Sequence, residues 1–135
     1  MEITPYLNFD GRCRAAFEFY AATFGGRIEG LMTYGDSPMR DQSPPETHDR
    51  VMHARLVADG AVLMGADGPP QHQHTPRGIW VSLHLKDAAK GERIFAALSE
   101  GGQVTMPFGP TFWGVFGMTT DRFGIPWMVN CEPTS

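Results

Sequence analysis

An internal duplication constrains the fold of this chain more than any other feature of its sequence. A strand-like run leads into an Asp59-Gly60 turn and a second apolar run, and the same plan recurs around Gly124 in the last third of the chain. Gly60 and Gly124 are 64 residues apart, and so are Met64 and Met128. Two copies are too few for a solenoid, so the duplication predicts one compact, pseudo-symmetric domain.

The helical segments repeat as well. The segment from Phe19 to a Gly-Gly pair matches the segment from Phe95 to a second Gly-Gly pair, with an offset of 76 residues. The offset is longer here because the first copy carries extra residues in a Pro-rich stretch near 36–50. The repeat unit is therefore predicted to be strand-helix-strand-strand-strand.

Pattern and turn signals place the elements of both copies. Eight strands are predicted at about 3–9, 27–34, 51–58, 61–66, 78–85, 103–107, 111–119 and 125–131. Helices are predicted over 12–24 and 87–99, with Asp10 and Asp87 as N-caps. We expect a single domain with module 1 over about 1–67, a linker at 68–77 and module 2 over about 78–132.

Composition excludes several classes of function. The chain of 135 residues is 41% hydrophobic, which suits an ordinary globular protein. Its net charge of −4 and scattered basic residues predict no nucleic-acid partner. No apolar run approaches membrane-spanning length and no signal peptide is evident, so we expect no membrane partner. Cys13 and Cys131 form no CxxC motif, and we predict free thiols in the cytoplasm.

Strand alternation sorts the side chains into two faces. Ile79, Val81, Leu83 and Leu85 form an apolar face expected under a helix, and Met52, Ala54 and Leu56 do the same in the first module. The opposite face mixes apolar and polar side chains. Its predicted members are Tyr6, Asn8, His53, Arg55, Met64, Trp80, Ser82, His84, Met128 and Asn130. On curved sheets this face would line a small-molecule cavity, and the alternative is burial against a partner chain.

Four segments carry a family resemblance. They are residues 5–25, the Met52-His-Ala triplet, Phe112-Trp113, and the run from Thr120 to Asn130. Together they resemble the PhnB-like branch of the vicinal oxygen chelate (VOC) superfamily, which includes glyoxalase I, extradiol dioxygenases and bleomycin-resistance proteins. The resemblance implies an α+β fold of two tandem βαβββ modules, with curved mixed sheets forming a cup, helices outside, and a homodimer. The branch also carries the label demethylubiquinone methyltransferase, but no Gly-rich nucleotide loop opens a helix here.

The superfamily resemblance also implies a divalent metal held by His, Glu or Gln on four strands. The matching positions here are Thr4, Pro5 or Tyr6 for the first ligand, Met64 for the second, Trp80 or Val81 for the third, and Met128 for the fourth. None is a good ligand for a hard or borderline divalent cation. We therefore predict no metal site and no cofactor.

Several other polar side chains are candidates for catalysis or binding. His53 is the best candidate for a general base, and Arg55 could hold an anion. His84 lies on the analogous face of the second module, while His72 and His74 are read as part of a solvated loop. Asp10, Asp87 and Asp121 are read as cap and turn residues, and Cys13 as an inert buried thiol.

The aromatic residues and the long loop leave questions open. Trp80 is the candidate for stacking on a ligand, and Trp127 is expected in the core. Alternation does not decide whether Phe112 or Trp113 lines the cup. The loop at 35–50 is read as an exposed segment that could act as a lid.

Three functions follow from these observations. The first is metal-free binding of a small, largely apolar or aromatic molecule of unknown identity. The second is a lyase, isomerase or dioxygenase-type enzyme that retains a metal through non-standard ligands such as His53 and His84. The third is an interaction module whose mixed face is buried in a dimer. The sequence does not decide whether the protein is an enzyme.

Overall fold

The computed structural model describes residues 1–132, and this part of the chain contains eight strands and two α-helices. They form two compact units, Met1–His74 and the residues from Thr75 onward. Each unit contains one four-stranded mixed sheet and one helix. The predicted α+β class and the two βαβββ copies are confirmed.

The first unit consists of one sheet and α1. Its elements in chain order are β1 (Tyr6–Phe9), α1 (Cys13–Phe24), β2 (Arg27–Thr33), β3 (Val51–Ala58) and β4 (Ala61–Asp67). The strand order is β1-β4-β3-β2, with β1 parallel to β4 and the other pairs antiparallel. Asp59 and Gly60 join β3 to β4 with φ angles of 49° and 80°, as the predicted two-residue hairpin requires.

The second unit repeats this topology. Its elements are β5 (Val81–Leu85), α2 (Ala88–Ser99), β6 (Gln103–Thr111), β7 (Gly114–Thr120) and β8 (Pro126–Cys131). The strand order is β5-β8-β7-β6, with β5 parallel to β8. Asp121 organises the turn before β8, because its carboxylate accepts hydrogen bonds from the backbone of Phe123 and Ile125 and from Trp127 Nε1. Trp127 is buried, as expected.

Each helix covers one face of its own sheet. The buried stripe of α1 is Cys13, Ala16, Phe17 and Tyr20, and that of α2 is Gly91, Ile94, Phe95 and Leu98. Helical spacing in the sequence predicts the first stripe with Phe24 as a fifth member, and Phe24 is only half-buried. The two stripes correspond at an offset of 78, so Phe17, rather than Phe19, is the counterpart of Phe95. The 76-residue offset aligns the two Gly-Gly pairs, but it leaves the buried faces of the two helices two residues out of step.

Asp10 is not the N-cap of α1. Its carboxylate pairs instead with Arg50, at 2.9 Å. Asp67, at the end of β4, accepts from the backbone N–H of Gly11 (2.8 Å) and Cys13 (3.0 Å), and its second oxygen accepts from Val51 N (2.9 Å). In α2 the predicted cap is confirmed, since Asp87 accepts from Ala89 N and Lys90 N.

Two predictions about the helix-side faces were wrong at their edges. Ile79 is 72% exposed and precedes β5, so it does not lie under a helix. Met52 is only half-buried, as are Val81, Leu83 and Leu85, whereas Ala54 and Leu56 are buried as expected. Ile79 lies outside β5, and Met52 lies at a register shift between β2 and β3, so alternation does not dictate the burial of either residue.

The loop at 35–50 has structure of its own. It contains two 3₁₀ turns, Arg40–Gln42 and Pro45–Thr47. Backbone hydrogen bonds from Tyr34 N to Arg50 O and from Gly35 N to His48 O close its base, at 3.0 and 2.9 Å. Whether it acts as a lid stays a prediction. Among the described residues, no helix combines the length and apolar character that crossing a bilayer requires.

Candidate functional site

The free face of the first sheet, on the side away from α1, centres on a Tyr-His pair. Tyr6, Met64 and Arg55 are neighbours across β1, β4 and β3. The Tyr6 hydroxyl lies 3.1 Å from His53 Nδ1, and the two rings are tilted with centroids 5.8 Å apart. Partial burial raises the pKa of the Tyr6 phenol above its ordinary value. His53 therefore has a neutral phenol as its partner at physiological pH.

The other polar side chains of this face already have partners. Arg55 forms an ion pair with Glu29, so its charge is balanced within the sheet. Asn8 Nδ2 donates to the backbone carbonyl of His72, at 2.8 Å, and thereby fastens the segment after β4. The charge of Arg55 is therefore neutralised by Glu29, and the amide of Asn8 is already used in a hydrogen bond.

The free face of the second sheet is different in character. Ser82 pairs with Met128 in register, Met128 with Met118, and Met118 with Met106. Residues paired in register share a face of the sheet, so a hydroxyl and three thioethers form one line across β5, β8, β7 and β6. We call Met106, Met118 and Met128 the methionine row. All three side chains are partly exposed.

A chain of polar contacts borders the methionine row. Trp113 Nε1 donates to Asn130 Oδ1 at 2.9 Å, Asn130 Nδ2 lies 3.4 Å from His84 Nδ1, and His84 Nε2 lies 3.0 Å from Ser82 Oγ. We call these four residues the Ser82 relay. Trp113 also packs edge-on against Phe116, with ring centroids 5.5 Å apart.

The structure decides the open question about the aromatic pair. Phe112 and Trp113 form the two-residue turn between β6 and β7, rather than the start of a strand. Phe112 is 98% exposed, whereas Trp113 bonds to Asn130 on the free face. Trp80 precedes β5 and is partly exposed, so strand alternation does not fix its direction.

Three residues of the second free face were absent from the sequence prediction: Met106, Phe116 and Met118. Trp113 was one of the two open candidates. Register irregularities in the pairing of β6 with β7 hide Met106 from simple alternation. The antiparallel register of β7 and β8 would have recovered Met118, because Met118 lies directly opposite Met128.

The metal positions of the superfamily can be tested against the register. Met64 lies opposite Tyr6 on the parallel neighbour, and Met128 lies opposite Ser82 in the same way. Ser82, rather than Trp80 or Val81, is thus the second-unit equivalent of Tyr6. The four positions supply a phenol, a hydroxyl and two thioethers, which do not fit a divalent metal that prefers imidazole or carboxylate ligands.

The other histidine and acidic side chains do not form an alternative metal site in the described part of the chain. Within residues 1–132 no group of three or more His, Cys, Asp or Glu side chains is close enough together to hold a metal ion. His72 contributes its backbone carbonyl to Asn8, and His74 is exposed.

The two thiols are buried in their helix-sheet layers. Burial, followed by the nearby Asp67 carboxylate, raises the pKa of the Cys13 thiol to about 12. Burial also raises the pKa of Cys131, whose Sγ lies 3.9 Å from the carbonyl of Asp87. Both thiols are free and protonated at neutral pH, which makes them poor nucleophiles.

Two βαβββ units, each with a parallel outer strand pair and a helix over one face, define a protein of the VOC superfamily. A family model described as 3-demethylubiquinone-9 3-methyltransferase matches residues 1–130, and the chain belongs to this family. It is 30% identical to protein YjdN of Escherichia coli K12 over 139 residues, covering 96% of this chain and 95% of that one.

Solved structures agree with the assignment. Protein PA1353 from Pseudomonas aeruginosa superimposes with a TM-score of 0.90 at 47% identity, covering 99% of both chains. A putative 3-demethylubiquinone-9 3-methyltransferase, PhnB protein, from Bacillus cereus gives a TM-score of 0.80 at 24% identity, covering 98% of this chain and 100% of that one. The second likeness is one of fold alone. These relatives support the family and name no specific function for this chain.

Proposed function

We propose that this protein binds a small, largely apolar or aromatic molecule without a divalent metal ion. One observation carries the proposal: thioethers occupy the positions of Met64 and Met128, where the superfamily places metal ligands. In the second unit, Met128 belongs to a row of three partly exposed methionines. Methionine is flexible and polarizable, and its sulfur makes favourable contacts with aromatic rings. Such a surface suits a flat apolar ligand.

Methyl NMR tests the proposal directly. Protein labelled with ¹³C at the methionine methyl groups would be titrated with a library of small aromatic and aliphatic compounds. We expect saturable shifts at Met106, Met118 and Met128, and their loss in Met118→Lys. Met39→Lys is the matched control, because Met39 is exposed in the 35–50 loop of the first unit. Absence of saturable shifts at the methionine row would overturn the proposal.

An enzymatic function is the second candidate, and the Tyr6-His53 pair favours it. A histidine that is hydrogen-bonded to a phenol can act as a general base when a substrate takes the place of the phenol, or when the phenol also bonds to the substrate. In this case His53→Ala would abolish turnover of a compound found by the NMR screen while leaving the far-UV circular dichroism unchanged. Unchanged turnover would remove His53 from the mechanism. Metal ligation by His84 would require its ring to give up a present hydrogen bond, because Nδ1 faces Asn130 and Nε2 faces Ser82.

A homodimer is also proposed, and it defines the third candidate, an interaction module. The edge strand β6 exposes Val104 and Met106, which are apolar enough to contribute to an interface. Sedimentation velocity would show a dimer at micromolar concentration. If the methionine row is the interface, Met118→Lys would give monomers; if it is a ligand site, the dimer would persist.

A cytoplasmic location is supported by the two free thiols. The methyl transfer named in the family description is not part of the proposal. The N-terminal amides of the helices are already bonded to Asp67 and Asp87, and no Gly-rich loop precedes either helix in the sequence.

A further inference from the structure

The donor and acceptor roles in the Ser82 relay follow from its first member. An indole N–H can only donate, so the Asn130 atom that faces Trp113 must be the carbonyl oxygen. The amide orientation of Asn130 is therefore fixed. Its Nδ2 atom, which can only donate, then faces His84 Nδ1.

The tautomer of His84 is fixed in turn. Because Nδ1 accepts from Asn130, the proton of the neutral imidazole lies on Nε2. Nε2–H then donates to Ser82 Oγ across 3.0 Å. This polarity is the reverse of a serine nucleophile with its general base, in which the histidine nitrogen must accept from the hydroxyl.

The relay ends at the Ser82 hydroxyl hydrogen. Its oxygen accepts from His84, and the structure assigns its own proton no acceptor within residues 1–132. Ser82 is exposed and lies in register beside Met128, at the end of the methionine row. A hydrogen-bond donor thus stands at one end of an apolar surface about 15 Å long, as estimated from the usual spacing of side chains across a sheet.

We propose that the Ser82 hydroxyl is a pre-oriented donor that selects an aromatic ligand bearing a carbonyl oxygen. The inference rests on the proposed ligand-binding function and adds the chemical class of the ligand. The carbonyl oxygen accepts from Ser82 while the ring lies on the methionine row. Because the relay holds Ser82 with its proton outward, the donor needs no reorganisation when the ligand binds.

The test uses two probes of nearly the same shape, acetophenone and ethylbenzene, which differ in the carbonyl oxygen. Dissociation constants are measured from the methyl shifts of Met106, Met118 and Met128. The preference for acetophenone is expected to fall about three- to tenfold from wild type to Ser82→Ala, because one neutral hydrogen bond is lost. Ser82→Thr should restore it. Tyr34→Phe, which removes a first-unit hydroxyl that donates to the backbone carbonyl of Asp67, should leave it unchanged.

The outcomes separate this inference from the proposed function. Binding of both probes with the same preference in wild type and Ser82→Ala would overturn the role of Ser82 and leave the ligand site standing. Failure of both probes to bind at millimolar concentration would overturn both. The ¹⁵N shifts of His84 give an independent readout. We expect the Nε2–H tautomer in wild type and a mixture in Trp113→Phe, and a wild-type Nδ1–H tautomer would contradict the relay.

Discussion

The first and second units build the same helix-on-sheet layer from different residues. In the first, Cys13 on the helix lies beside Asp67 at the end of β4, and that carboxylate caps the helix. In the second, the equivalent helix position is Gly91 and the equivalent strand position is Cys131. The thiol has moved from helix to strand, and the capping carboxylate has moved into the chain just before the helix, at Asp87.

The difference shows what a duplicated fold must keep. Each layer has one carboxylate that accepts from the N-terminal amides of its helix, and one thiol packed between helix and strand. The carboxylate and the thiol come from different positions in the two units. The free faces have diverged further. The first presents a phenol, an imidazole and a balanced ion pair, and the second presents a methionine row with an oriented hydroxyl.

The largest expected effect distinguishes the two helix caps. Asp67 is 2% exposed and accepts from three backbone amides. Asp67→Ala leaves those amides without a partner, and we expect a loss of about 3 to 5 kcal/mol in the free energy of unfolding. Asp87→Ala, the matched change in α2, should cost about 1 kcal/mol, because its amides are exposed to water. Urea denaturation measures both, and equal losses would contradict the comparison.

The second effect concerns the exchanged thiol. A Cβ at Gly91 would collide with Cys131 Sγ. Gly91→Ala is therefore expected to destabilise the protein by about 1 to 3 kcal/mol through overpacking. Cys131→Ala should rescue most of that loss, so a double-mutant cycle gives a coupling of the same size. Additive losses would show that the thiol does not fill this space.

The third effect depends on pH. The pKa of Cys13 is about 12 in the folded protein, above its value in an unfolded chain. When the pKa of a group is higher in the folded protein than in the unfolded chain, its contribution to stability is fully present below the unfolded-state pKa. That contribution is lost as the pH rises toward the folded-state pKa. The free energy of unfolding should thus fall between about pH 9 and 12, by at most about 1.4 kcal/mol per pH unit from this group. Cys13→Ala should flatten the curve, and an identical slope would contradict the assignment.

The smallest effect is expected at the free face of the first unit. Arg55 and Glu29 form an ion pair in which both side chains are about one third or more exposed. Solvent screens such pairs, so a double-mutant cycle with Arg55→Ala and Glu29→Ala should give a coupling below about 1 kcal/mol, weaker still in 1 M salt. A coupling of several kcal/mol would mean that this face is more enclosed than its exposure indicates.

Local patterns were sufficient to predict most of the fold. The Asp59-Gly60 hairpin, the Asp87 cap and the buried stripe of α1 each depend on residues close together in sequence. The cap of α1 could not be found in this way, because Asp67 reaches it from 54 residues beyond Cys13. Asp10 stands in the usual place for an N-cap, but Arg50 takes its carboxylate.

The candidate sites show the same limit. Alternation predicted that Ser82 and His84 share a face, and the repeat predicted that Met64 and Met128 are equivalent; the register agrees with both. The relay needs more than alternation. It joins β5, β8 and a turn, so it depends on the cross-strand register and on how Trp113 folds back toward Asn130.

Metal content tests the central claim most directly. We expect that purified, tag-free protein contains no stoichiometric metal, and that Ni²⁺, Zn²⁺, Mn²⁺ or anaerobic Fe²⁺ leaves its melting temperature unchanged. One metal ion per chain, or stabilisation that follows one-site linkage with added metal, would contradict the ligand-by-ligand argument. It would also make a metalloenzyme the leading function.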